Sequence, residues 1–269
     1  MQIINNTPFP AIGWSSVDSH DNEYVSIVSR VKLLFDFMDE EGFWSLKLAP
    51  EQEALFDTDV FYDEACKEIR YESDFVPYKQ QADLIVKLSK KKREYGKRGV
   101  EVLRYKETIE AKSLLRHMSL NHLGFVHRAE DSRLQWTGTT DEQWVQTRAP
   151  KLPKDFNEKH YNAAHPDLQL KNQYFEAGDM IVFHKLLPGE HKQFFMLPGI
   201  YIKATCHSEV GKNAVLLEAD TVVLDIENLD MKENALYISY RHRMSMVKKI
   251  TQLSIDMKLE KAFIEERSA

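Results

Sequence analysis

Residues 24–48, YVSIVSRVKLLFDFMDEEGFWSLKL, decide the fold class. Through residue 37 one face of an extended chain would carry Val25, Ile27, Val31, Leu33, Phe35 and Phe37, the two-residue period of a half-buried strand. Glu40, Glu41 and Gly42 then supply a turn, and Trp44, Leu46 and Leu48 again share a face. The spacing predicts a β-hairpin.

Working outward, strand chemistry recurs along the chain. Residues 59–62 read as a short strand, and ADLIVKL (82–88) as a buried one with β-branched residues at its centre. VEVLRYK (100–106) alternates well enough to be its return strand, whereas ETIEAKSLLRHM (107–118) is compatible with a helix. DMIVFHKL, KQFFML, IYIKATC, AVLLEA, TVVLDI and ALYISYR fill the last third, separated by Gly, Pro, Asn or Asp. Residues 247–257 add a further strand, and LEKAFIEER (259–267) reads as a terminal helix. No period of 20 to 50 residues repeats, which removes solenoids and propellers. The expected fold is mainly β (α+β): antiparallel, strand-rich sandwich or barrel-like halves with a few short helices. It occupies residues 1–269 as one elaborate domain, with two strand-rich lobes (about 1–125 and 135–269) as the alternative division.

The 269 residues, 43% of them hydrophobic, suffice to bury a large core. A net charge of −6 offers no positive field to draw the chain onto nucleic acid or anionic lipid. The opening MQIINNTPFPAIGW has no basic region followed by an apolar run, and no apolar stretch approaches the roughly 20 residues that span a bilayer. A cytoplasmic protein without membrane insertion is expected. Cys66 and Cys206 lie far apart without a CxxC pair, so buried, reduced thiols are expected. The cluster Lys90 to Arg93, with Lys87, Lys97 and Arg98, reads as a solvated loop; a site for phosphate or an acidic partner is the alternative.

Chemistry-bearing constellations are sparse. His117, His122 and His127 recur every five residues, a spacing that spreads them around a helix and onto both faces of a strand, so a zinc trio is disfavoured. His160 and His165, with Asp155, Glu158 and Asp167 nearby, could form an acid–base pair. No GxSxG, HExxH, GxxxxGK[ST] or GxGxxG accompanies them. No catalytic residue, metal or cofactor is therefore assigned.

Residues 138–156, GTTDEQWVQTRAPKLPKDF, carry the densest local signals. Thr139 with Glu142, and Thr140 with Gln143, fit capping boxes, so a short helix should start here with Asp141 and Glu142 at its positive end. Trp144 and Arg148 would share a face four residues apart, with a carboxylate as the expected partner of Arg148 and an indole contact as the alternative. Pro150 and Pro153 then enforce an extended path into Asp155 and Phe156. In an architectural role Trp144 and Phe156 plug the core while Arg148 and Asp155 tie the loop down through buried pairs. In a binding role the same residues meet a partner.

This region resembles the hallmark of a bacterial family long catalogued as a domain of unknown function and often encoded beside type VI secretion spike and effector genes. Its G-T-x-D-x-x-W, R-x-P-x-L-P-x-D-F and Y-F-N-x-A-like elements fall on Gly138, Thr139, Asp141, Trp144, Arg148, Pro150, Leu152, Pro153, Asp155, Phe156, Tyr161, Asn162 and Ala164. Three further elements fit in order: Asn6-Thr7-Pro8-Phe9, then Ser73-Asp74-Phe75-Val76-Pro77-Tyr78-Lys79, then Ala219-Asp220-Thr221. Two departures stand out. A glycine-rich loop usual between the halves is here the short SLNHLGFVHRAED, and the Lys-Pro closing the second element is Lys79-Gln80. The resemblance implies an effector chaperone or adaptor, not an enzyme, that shields a cognate effector, in particular its N-terminal segment, and promotes loading onto the spike protein VgrG. A secreted, spike-associated structural component and an enzyme using His160 and His165 are the competing expectations.

Overall fold

The computed structural model of the protein describes residues 1–63, 68–88, 99–106, 109–113, 134–184, 192–228, 231–246 and 249–260. The opening stretch forms the hairpin its alternation predicts. β3 (Glu23–Met38) turns at Asp39–Gly42 and pairs antiparallel with β4 (Trp44–Leu48). Asp39 Oδ1 accepts from the Glu41 and Phe43 amides, and Gly42 takes φ +88°, a conformation that favours glycine. The register slips between Phe35 and Met38, so the alternation ends early and Phe37 is 56% exposed, against expectation.

β3 anchors a central sheet with β2 (Ala11–Val17), β16 (Ala235–Ser245), β15 (Glu218–Ile226), β7 (Ala82–Leu88) and β10 (Gln169–Leu170). Two strands of the last third, β15 and β16, sit between β7 and β3 of the first third. A second sheet has the order β1 (Gln2–Asn5), β17 (Ile250–Leu259), β13 (Ile200–Ser208), β14 (Gly211–Leu216). A third runs β12 (Gln193–Met196), β11 (Met180–His184), β8 (Gly99–Lys106), β9 (Ile109–Ser113), and β5 (Val60–Asp63) with β6 (Glu68–Tyr71) makes a ribbon. Strands dominate, as expected, and no sheet closes into a barrel among the described residues. Two pairings, β7 with β15 and β1 with β17, are parallel.

Several expectations are corrected. VEVLRYK does not return alongside β7: as β8 it pairs with β11 and β9, because Val100 and Val102 complete a different apolar face with Ile181 and Phe183. Residues 109–113 of the expected helix are strand β9. The terminal helix begins on Leu259, which instead ends β17, and its residues 261–267 lie outside the described residues. Among the described residues no helix is long and apolar enough to cross a membrane.

The two faces of the central sheet differ in chemistry. On one, Val31 stands opposite Ile238 and Leu33 opposite Leu236, and Val222, Leu224, Leu84 and Val86 extend the apolar surface. It packs on the inner faces of the other sheets, where Phe35 meets Phe195 at 5.6 Å and Ile202, Ala204, Leu253 and Ile255 are buried. Each fully buried Val, Leu, Ile or Phe side chain among them contributes roughly 1.5–3 kcal/mol. On the other face, Arg30, Ser239, Thr221 and Asp83 stand opposite one another across β3, β16, β15 and β7. A polar row thus crosses four strands, and chain segments 52–57, 71–79 and 157–163 cover it.

Candidate functional site

The covered polar face holds a buried ionic layer. Arg30 Nη1 lies 2.5 Å from Asp74 Oδ2, which also accepts from the Phe56 amide at 2.8 Å. Lys79 is fully enclosed and bridges Glu72 and Asp83, the latter at 2.8 Å. Arg241 pairs with Asp220, whose other oxygen accepts from Thr221 Oγ1 at 2.9 Å. Burial pushes Lys79 down, but Asp83 and Glu72 outweigh it and keep the ammonium charged. Burial pushes the Asp74 carboxyl up, against the pull of Arg30. Two residues singled out in the sequence, Asp74 and Lys79, therefore sit inside the molecule at 4% and 1% exposure. Thr7, Pro8 and Phe9 form a separate turn: Thr7 Oγ1 donates to Asn5 Oδ1 at 2.9 Å, and Phe9 enters the core.

Lys87 occupies one end of this layer, in β7 and only 2% exposed, rather than in a solvated basic loop. Its ammonium lies 2.9 Å from the Tyr71 ring centroid and 3.7 Å from Asp225. Tyr71 donates its hydroxyl to the same Asp225 at 2.5 Å. Burial, with only partial relief from Asp225, lowers the Lys87 amine to about 7. The cluster at 90–93 and the histidines at 117, 122 and 127 lie outside the described residues, as does Cys66. Cys206 is buried, and burial raises its thiol to about 11.

The hallmark segment divides into an outer loop and an inner anchor. In the outer loop the helix α1 (Glu142–Thr147) is capped by Asp141, whose carboxylate accepts from the Trp144 amide at 2.8 Å. The expected threonine capping boxes do not form. Thr139 instead gives its amide and hydroxyl to Asp155, at 2.9 and 2.7 Å, and this holds the Asp155 carboxyl below its ordinary range. Asp155 is consequently exposed, and Trp144 is half-buried with its indole nitrogen donating to the Lys151 carbonyl at 3.0 Å. Neither takes the buried place that an architectural role required of it. Phe156 does, at 9% exposure, and Pro153 is buried while Pro150, on a cis bond, is exposed.

Arg148 has the expected carboxylate partner, Asp21 at 2.9 Å, and also donates to the carbonyls of Ser19 and Leu152. It fastens the outer loop to the β2–β3 turn. The inner anchor enters the ionic layer: Asn162 Nδ2 donates to Asp83 Oδ1 at 3.0 Å and to the Gln81 carbonyl at 2.6 Å, and the Ala163 amide donates to Asp83 Oδ2. Glu158 pairs with Arg243, which stacks between Tyr24 and Tyr78. His160 packs on Phe156 and Tyr161, whereas His165 caps a 3₁₀ turn at Pro166–Leu168 and approaches Asp167. The two histidines thus serve different local structures.

The surface offers two further features. The outer face of the β12–β11–β8 sheet carries Leu103, Met180, Val182, Phe194 and Met196, and pairings such as Met180 with both Leu103 and Met196 make them contiguous. Leu103, Met180, Phe194 and the buried Val182 line a hollow of about 400 Å³ rimmed by Glu41, Glu101 and Lys192, and Met196, outside that lining, is 48% exposed. A second hollow, about 580 Å³, opens between β13 and β14 on one side and β15 and β16 on the other.

The ionic layer was not anticipated, yet it left a signal. In ADLIVKL the charges Asp83 and Lys87 are four residues apart, on the same strand face, which an apolar buried strand would not carry. Arg30, Arg241 and Arg104 break otherwise apolar strands in the same way.

Residues 115–241 match the model of a family described as an uncharacterized protein conserved in bacteria (DUF2169). Neither a curated protein nor a solved structure matches the chain. The matched span contains the outer loop, the anchor at Asn162 and Ala163, and strands β10 to β15 with most of β16. Over residues 115–241 the chain therefore carries a DUF2169 domain.

Proposed function

We propose that this protein is a binding adaptor that holds an apolar segment of a partner protein on the outer face of the β12–β11–β8 sheet. The supporting observation is the contiguous face of Leu103, Met180, Phe194 and Met196 around the buried Val182. An apolar patch with a charged rim is the usual composition of a protein-docking surface. Met180 and Met196 suit such a surface because an unbranched thioether adapts to varied partners. Phe194 adds a large apolar ring, braced by Phe43 at 5.6 Å. Behind this face Phe183 and Phe195 pack on the apolar core, with Phe195 meeting Phe35 of the central sheet at 5.6 Å.

The finer reading is an effector chaperone of type VI secretion that covers an effector segment and passes it to the spike protein VgrG. It rests on the resemblance of residues 138–164 and the three other ordered elements to that family. Co-expression tests it. An effector encoded beside this gene should stay soluble and co-purify with the chain, and should aggregate when the chain is absent. An effector equally soluble and equally loaded without the chain would end this reading.

A further inference from the structure

The cleft of about 580 Å³ that opens where β13, β14, β15, β16 and the segment 172–177 meet has a mixed lining with apolar side chains on its walls and an unbalanced charge. Its volume falls in the range of sites that enclose a ligand or a long side chain. Phe175, Leu217 and Ile238 line it, together with Tyr240, which is 5% exposed and whose hydroxyl has no hydrogen bond among the described residues. Burial, reinforced by Tyr201, holds that phenol protonated well above its ordinary range.

The cation of the cleft, Arg104, is fully committed. Its guanidinium donates twice to Asp179 at 2.7 Å, once to Glu176 at 2.6 Å and once to the Tyr174 carbonyl at 2.7 Å. Glu218, on the wall, has no such neutralisation. Arg241, opposite it in the β15–β16 ladder, is taken by Asp220. His242 lies 4.0 Å away, and burial holds its imidazole below the usual range, so it is neutral at pH 7. Burial and the like charge of Asp220 push the Glu218 carboxyl up, and its side chain is 46% exposed.

We infer that this cleft receives an amphipathic cation, the lysine or arginine side chain of a bound partner, with its stem along Phe175, Leu217 and Ile238 and its head at Glu218. Apolar walls suit the methylene stem and the lone carboxylate suits the charged end. The inference builds on the adaptor reading and gives it a second, charge-selective contact.

The test uses n-pentylammonium as the probe, with n-pentanol and pentanoate as chain-matched controls, followed by calorimetry and NMR shifts on the full chain. Saturable binding of pentylammonium alone is expected, weakened about tenfold in Glu218→Gln, a change of about 1.4 kcal/mol. Glu218→Gln keeps the side-chain shape, and its thermal unfolding checks the fold. Equal binding of pentanol or pentanoate, or undiminished pentylammonium affinity in Glu218→Gln, overturns the inference. Met196→Asp separates the two proposals: it should leave pentylammonium binding unchanged while abolishing partner capture.

Discussion

Asn162 and Asp83, 79 residues apart in sequence, are joined by a 3.0 Å hydrogen bond beneath the surface of the protein. The same carboxylate meets Lys79 at 2.8 Å and the Ala163 amide at 2.9 Å. One aspartate on β7 thus ties together two separate covering segments, and through Thr221 and Ser239 its strand position continues as far as Arg30. A charge layer of this kind costs desolvation, so it is expected to specify how the cover seats on the sheet rather than to maximise stability.

Removing one partner of the Lys79–Asp83 pair should be far worse than removing both. Asp83→Leu leaves a fully buried ammonium with Glu72 alone and strips Asn162 of an acceptor, a loss of about 3–5 kcal/mol. The double variant Lys79→Met, Asp83→Leu should recover much of it. Urea unfolding measures both, and strictly additive losses would contradict the coupling.

Lys87 makes stability depend on pH. Its folded-state amine titrates at about 7, against 10.5 for the ordinary lysine, so between these values the unfolded chain binds the extra proton. Stability contributed by this site therefore rises with pH above 7, and it is lowest below 7, where the buried amine is charged. Tyr71 and Asp225 lie against the amine in the folded protein, and the charges of Glu227 and Arg70 act on it as well. Between pH 7 and 9 the wild type should gain about 1 kcal/mol per pH unit relative to Lys87→Met. Parallel pH profiles of the two proteins would contradict this.

Gly138 is fixed by geometry on both counts. Its φ is +76°, and an added Cβ would lie 2.7 Å from Asp155 Oδ1, 2.8 Å from Pro153 Cβ and 2.9 Å from the Phe156 nitrogen. Gly138→Ala should destabilise by about 1–3 kcal/mol and free the outer loop. Proteolysis near residue 140 would report it, and an unchanged digestion pattern would argue against a rigid loop.

Arg148→Ala should cost stability before it costs recognition, since the guanidinium touches Asp21 and two carbonyls of the chain itself. Losing the donor to the carbonyls of Ser19 and Leu152 should cost about 1–2 kcal/mol. A lowered melting temperature with partner binding intact is expected. Equal thermal stability with lost binding would place the partner on the outer loop.

How much of this was legible follows from period and partner. The β3–β4 hairpin, β7 and the strands of the last third were readable because alternation is a local property. The partner of β8 was not, since Val100 and Val102 suit either apolar sheet face and only long-range packing chooses between them. At α1 the capping boxes lost to Asp141 because Thr139 found a better acceptor, Asp155, sixteen residues later. The aspartate and lysine of the second ordered element, Asp74 and Lys79, were visible as residues, but their burial depends on Arg30, Glu72 and Asp83 arriving from other elements.

The central claim is that a partner docks on the outer face of the β12–β11–β8 sheet. Hydrogen–deuterium exchange of the chain with and without its neighbouring effector tests it most directly. Protection concentrated on Met180–His184 and Gln193–Met196, and abolished by Met196→Asp, is the predicted result. Protection confined to residues 138–156, with those strands unchanged, would contradict it.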